Sequence, residues 1–267
     1  MDRAGRLSWG PMDPAARPDP LGPLMDLDGV AEAAAEAADA LAAVHRHKVN
    51  LRKWSITGAE AVLRGARASA WLAGADPAIP ADGIVSDPLL AAALRVADPL
   101  SPEAIGETAR TWRRAPLQVL ARFAVLAGGD SGGDRDAGRP VGDGRLSAAM
   151  KERRLHLLGE LVAGGSAVPP AVLSGVVHGE LLALRPFAAD NGIIARAASR
   201  LATVAGGVDP RGLGVPESRW SKRRRAYAEA ARGFAGGSPE GVRAFLLLHL
   251  EGLAAGAAEA RSIAEAV

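Results

Sequence analysis

Apolar residues recur along this chain mostly at three- and four-residue spacing, the period of helices with one buried face. From Asp28 to His47 the run DGVAEAAAEAADALAAVHRH puts Val30, Ala34, Ala38, Leu41 and Val44 on one side, and its alanines favour helix. A second run, ITGAEAVLRGARASAWLAG, closes at Gly74, a residue suited to a left-handed C-cap. ADPAIPADGIVSD reads as a loop, and PLLAAALRVAD as a short helix. The next stretch, SPEAIGETARTWRRAPLQVLARFAVLAGG, opens on Ser101, Pro102 and Glu103 as cap and first turn, and Pro116 divides or kinks it.

GGDSGGDRDAGRPVGDG, residues 128–144, is too rich in Gly and Asp for regular structure. Helical periods resume with RLSAAMKERRLHLLGELVAGG, PPAVLSGVVHGELLALRPF and NGIIARAASRLATVAGG, then run from Glu217 to Phe234. The last helix starts at Ser238, Pro239 and Glu240. With no strand alternation, the expected class is all-α. Residues 1–26 hold five prolines and no period, so they predict a flexible tail. The rest predicts one helical domain over 27–267, with N-terminal helices over 27–100 and a core over 101–267.

Composition agrees with packed helices. The chain has 267 residues, 48% of them apolar, with five Trp, four Phe and one Tyr. The absence of cysteine removes disulfides, thiolate metal sites and cysteine nucleophiles, and suits a reducing compartment. No run reads as a signal peptide or as the roughly 20 apolar residues of a membrane span, so a cytoplasmic protein without membrane contact is expected. The net charge of +2 carries little information by itself. One cluster, Arg219, Lys222, Arg223, Arg224 and Arg225, could meet acidic partners or nucleic-acid phosphates, but a solvated helix start explains it more simply, and no nucleic-acid partner is expected.

The chemistry concentrates in RPFAADNGIIAR, Arg185 to Arg196, between two helical runs. Asp190 or Asn191 can cap the second helix, and Gly192 lets backbone amides approach an anion at its positive end. Arg196 and Arg200 follow one turn apart on one face, where guanidiniums could reach the same anion.

This segment resembles the motif of the Fic family, His-Pro-Phe-x-Asp/Glu-Gly-Asn-Gly-Arg-x-x-Arg, set between two helices. Pro186, Phe187, Asn191, Gly192 and Arg196 match without a gap. His178, seven residues ahead, falls where such sequences often carry a structural histidine. The resemblance implies a Fic-like helical bundle related to protein adenylyltransferases, which move AMP from ATP to a target hydroxyl. It implies phosphate contacts from Asn191, Gly192, Arg196 and Arg185, in a motif loop that includes Pro186, Phe187, Ala189 and Asp190.

Three positions depart from the pattern. Arg185 stands where the family has its general-base histidine, and a guanidinium stays protonated at physiological pH. Ala189 replaces the acidic Mg²⁺ ligand, and Ile193 replaces the first motif arginine. Arg185 could substitute for that lost cation. The implied protein is therefore a pseudoenzyme that keeps a phosphate or nucleotide loop or a partner surface. ATP or another nucleotide is the ligand, no catalytic residue or metal site is assigned, and an unidentified protein is the partner. The alternatives are a divergent nucleotidyltransferase using Asp190 for metal, and a helical interaction protein using the basic cluster.

Many Fic proteins also carry an inhibitory helix, Ser/Thr-x-x-x-Glu-Gly/Asn, whose Glu pairs with the last motif arginine. ITGAEA, residues 56–61, makes Glu60 the candidate for a pair with Arg196. The target-docking flap of the family would fall at 128–144 and is at most vestigial. Asp130, Asp134 and Asp136 lack the Glu that a calcium loop needs, His45 and His47 suit a helix C-terminus better than a metal, and His249 suits a core edge.

Overall fold

The computed structural model describes residues 18–129 and 138–267, and the described residues contain helices and no strand. Eleven α-helices run in order: α1 (Val30–Arg46), α2 (Lys48–Ala73), α3 (Pro88–Ala97), α4 (Ile105–Arg114), α5 (Pro116–Gly128), α6 (Ala148–Glu160), α7 (Pro170–Leu184), α8 (Asn191–Ala205), α9 (Pro216–Lys222), α10 (Arg224–Gly236) and α11 (Pro239–Glu265). The all-α expectation holds.

Local chemistry explains most boundaries. Gly74 ends α2 in the left-handed region at φ 109°, Pro116 separates α4 from α5, and Ser238 caps α11 by accepting from the Gly241 amide. Two expectations change. Ser101 does not cap a helix, because the chain first makes a 3₁₀ turn over Asp98–Leu100 and α4 begins at Ile105. The helix expected over 217–234 is broken at Arg223, which leaves helical geometry at φ −120°, ψ 37°, and so becomes α9 and α10.

Residues 18–26, expected as part of a flexible tail, are held on the bundle. Asp19 accepts from the Ser166 hydroxyl and the Ala167 amide, and Leu21 and Leu24 pack on the core, so residues 18–26 are anchored. Residues 1–17 lie outside the described residues, as do Asp130, Asp134 and Asp136 in the Gly/Asp stretch.

Two apolar clusters share α7. One joins α3, α4, α5 and α8 through Leu90, Trp112, Phe123, Leu181 and Leu201, and the other joins α1 and α11 through Leu41, Val172, Leu246 and Leu250. The α7–loop–α8 hairpin therefore lies in the middle of the bundle. By length and composition α11 could cross a membrane, unlike the reading of the sequence, yet Phe245, Leu246, His249, Leu250 and Leu253 of its inner face are buried in the bundle.

Candidate functional site

The motif loop connects α7 to α8 and is held from several sides. Arg185 ends α7 in the left-handed region at φ 45°, the one described residue other than glycine with positive φ. Its carbonyl is turned toward Lys151, whose ammonium is buried and donates to Arg185 O and to the Asp143 carboxylate, each at 2.8 Å. That ammonium holds the Asp143 carboxyl well below the usual carboxylate range. Val141 donates its amide to Pro186 O at 2.8 Å, and Arg145 donates to Ala183 O at 2.9 Å. The described part of the segment in the flap position, residues 138–144, is thus coil docked on the motif loop.

Asn191 staples the loop. Its side-chain oxygen accepts from the Phe187 amide at 2.9 Å, and its nitrogen donates to Phe187 O at 2.8 Å and Ala189 O at 2.9 Å. Phe187 is buried beneath the loop. Asp190 caps α8 by accepting from the Ile193 amide at 2.8 Å. The backbone amides of Asn191 and Gly192 have no acceptor among the described residues, so two donors remain at the positive end of α8. Ala189, in the acidic position of the motif, carries no metal donor, and Ile193 is buried in the apolar core.

Arg196 leaves α8 inward and is 3% exposed. Its Nε donates to the Ser69 hydroxyl at 2.7 Å and its Nη2 to Ser69 O at 2.9 Å, at the C-terminal end of α2, where helix carbonyls offset positive charge. No carboxylate among the described residues lies within ion-pair distance of it. Gly192 makes room for it: a Cβ there would stand 3.1 Å from Arg196 Nη1.

A hydrogen-bonded chain runs from Arg196 into the core. Ser174 donates to Ala171 O at 2.8 Å, so its oxygen accepts from His249 Nε2 at 2.9 Å. His249 Nδ1 is then bare and accepts from His178 Nδ1 at 3.2 Å. His178 Nε2 accepts from the Tyr227 hydroxyl at 2.7 Å, and the Tyr227 oxygen accepts from Arg196 Nη1 at 3.4 Å. Every donor has an acceptor when both imidazoles are neutral, and that requirement assigns the tautomers. Burial lowers His178 far below its ordinary value, with His249 and Arg196 adding repulsion, and burial alone lowers His249 to about 3. Burial raises the Tyr227 phenol, so it stays protonated.

A cavity of about 470 Å³ opens over these groups, a size suited to a small ligand. Arg145, Arg185, Arg196 and Arg232 line it, with Asp190 as the one carboxylate among the described residues, and Leu72 and Leu182 give it apolar walls. Arg185 and Arg232 are exposed, and neither side chain has a hydrogen-bond or ion-pair partner among the described residues. Arg145, Arg232, Ser69 and Tyr227 did not stand out in the sequence, since each belongs to a helix or loop remote from the motif.

Other expected site residues lie elsewhere. Arg200 does not reach the cavity: it donates to Ala61 O and Gly212 O and lies 3.6 Å from buried Glu217. A Cβ at Gly65 would collide with its guanidinium, so the glycine admits it. Glu60 does not meet Arg196. It pairs with Arg64 one turn along α2 at 2.6 Å, while Ser69 and Tyr227 occupy Arg196. The inhibitory pattern fits better at 69–74, where Ser69 and Gly74 match and Ala73 takes the place of the glutamate, lining the cavity itself.

Three of the five cations in the basic cluster are ion-paired, through two carboxylates. Arg219 and Arg223 share Glu251, Arg225 pairs with Glu229, and Arg224 lies 5.8 Å from the Trp71 ring centroid. His45 bonds Asp209 at 2.8 Å rather than serving only the helix dipole. No group of three or more His, Asp or Glu that could hold a metal occurs among the described residues. No protein-family model matches the chain, and no curated protein matches it in sequence.

Proposed function

We propose that this chain is a Fic-like pseudoenzyme that holds the phosphates of a nucleotide over the α8 N-terminus without transferring them. The observation that carries this reading is Arg196: a buried guanidinium with no carboxylate partner among the described residues, at the floor of a cavity that also presents the amides of Asn191 and Gly192, which have no acceptor there. A buried charge without a counter-ion favours an anionic ligand that supplies one. Helix amides aimed at the same space add to that preference.

Transfer lacks its chemical parts. Arg185 cannot take a proton from a hydroxyl, Ala189 offers no donor, and Asp190 spends one oxygen on the Ile193 amide. General-base help is worth about 10²- to 10⁴-fold, so its loss turns a catalytic loop into a binding loop. With Ala73 in place of an inhibitory glutamate, nothing from α2 competes for the space in front of Arg196. A cytoplasmic location, where nucleotides are abundant, belongs to the same reading.

Calorimetric titration with ATP, GTP and CTP tests it. Saturable binding in the micromolar to millimolar range that Arg196→Met abolishes, while the variant keeps its helical circular dichroism, supports the reading. Absence of heat with all three nucleotides overturns it.

A further inference from the structure

The cavity holds more positive charge than one phosphate needs, and the charges stand on different elements. Arg185 ends α7, Arg145 precedes α6, Arg232 lies on α10 and Arg196 forms the floor. Against these four guanidiniums there is one carboxylate among the described residues, Asp190, with one oxygen already used by the α8 cap. Arg196 and Arg145 already donate to protein oxygens, while Arg185 and Arg232 keep their forks free among the described residues, and a linear triphosphate spreads its charge across such a cavity where a single phosphate does not.

The donor set also fits a hard divalent cation poorly, since its one carboxylate among the described residues is Asp190, half spent on the α8 cap. Mg²⁺ takes carboxylate or phosphate oxygens in octahedral geometry, and here the position that would supply a carboxylate is Ala189. Arginines at the same place would repel the cation and occupy the phosphate oxygens it needs.

From this arrangement we infer that the cavity binds a triphosphate chain without Mg²⁺, with Arg232 and Arg185 neutralising the outer phosphates in place of the metal. The inference rests on the phosphate-binding reading above. Arg232 is its most specific element: it lies outside the motif loop, lines the cavity, and has no other partner among the described residues. Being exposed on α10, it can be replaced without disturbing the core.

Titrations with inorganic triphosphate, ATP and AMP, each in EDTA and in excess Mg²⁺, test the inference. Triphosphate and ATP should bind at least as tightly in EDTA as in Mg²⁺. Arg232→Ala should weaken both by about tenfold and leave AMP within about twofold. Binding of ATP that requires Mg²⁺ overturns the inference and leaves the phosphate-binding reading standing, as does an Arg232→Ala variant that binds triphosphate like the parent. Failure of all three compounds to bind overturns both.

Discussion

Arg196 Nε donates to the Ser69 hydroxyl at 2.7 Å, joining the last arginine of the motif to the end of α2, 127 residues earlier in the chain. Ser69 also gives its carbonyl to Nη2 at 2.9 Å, so one small residue fixes the plane of the guanidinium. Replacing Ser69 with alanine removes one acceptor from a buried charge. The expected cost is about 1–3 kcal/mol in denaturant unfolding, together with weaker ATP binding. Unchanged stability and affinity would show that the hydroxyl does not hold Arg196.

Arg185 separates stability from binding. Its left-handed backbone at φ 45° costs a residue with a Cβ about 1 kcal/mol that glycine does not incur. Arg185→Gly should therefore raise the unfolding free energy by roughly 0.5–1 kcal/mol while weakening nucleotide binding. Movement of both in the same direction would contradict the placement of this side chain in the cavity.

Asn191 makes three hydrogen bonds within its own loop. Asn191→Ala should lower the thermal midpoint by several degrees, corresponding to about 2 kcal/mol, and broaden the amide resonances of 187–191. A stable variant with an unaltered loop spectrum would mean the staple contributes nothing.

His178 and His249 stay neutral in the fold, while in the unfolded chain each takes a proton below about pH 6.5. The unfolded state thus binds more protons, so the stability that these groups contribute is present above pH 6.5. It is lost as the pH falls toward about 3, the value to which burial lowers His249. Glutamine at 249 can accept from His178 and donate to Ser174 without titrating. His249→Gln should flatten the decline of unfolding free energy between pH 6 and 4 by up to about 1.4 kcal/mol per pH unit. Denaturation curves across that range measure it, and an unchanged slope would refute a neutral buried pair.

Much of the fold is legible from local chemistry, because Pro116, Gly74, Ser238 and Asp190 act through their own backbones and neighbours. The site is less so. RPFAADNGIIAR identifies the loop, and Arg196 and Gly192 do face the cavity. Periodicity could not tell that Arg200 turns to Glu217, because both arginines lie on one helical face and tertiary partners decide between them. Nor could it place Arg232, whose role depends on how α10 packs against α7. Glu60 supplies the acid of an inhibitory pattern whose ends, Ile56 and Ala61, do not match, and it has a nearer cation in Arg64. The segment 69–74, thirteen residues after 56–61, matches that pattern at Ser69 and Gly74 without its acid.

The central claim is binding without transfer. Equilibrium dialysis against ATP labelled at the α-phosphate, followed by denaturation and washing of the protein, tests both halves at once. Label retained by the native protein and fully released on denaturation is the expected result. Label that stays covalently attached, or label never retained by the native protein, would contradict it.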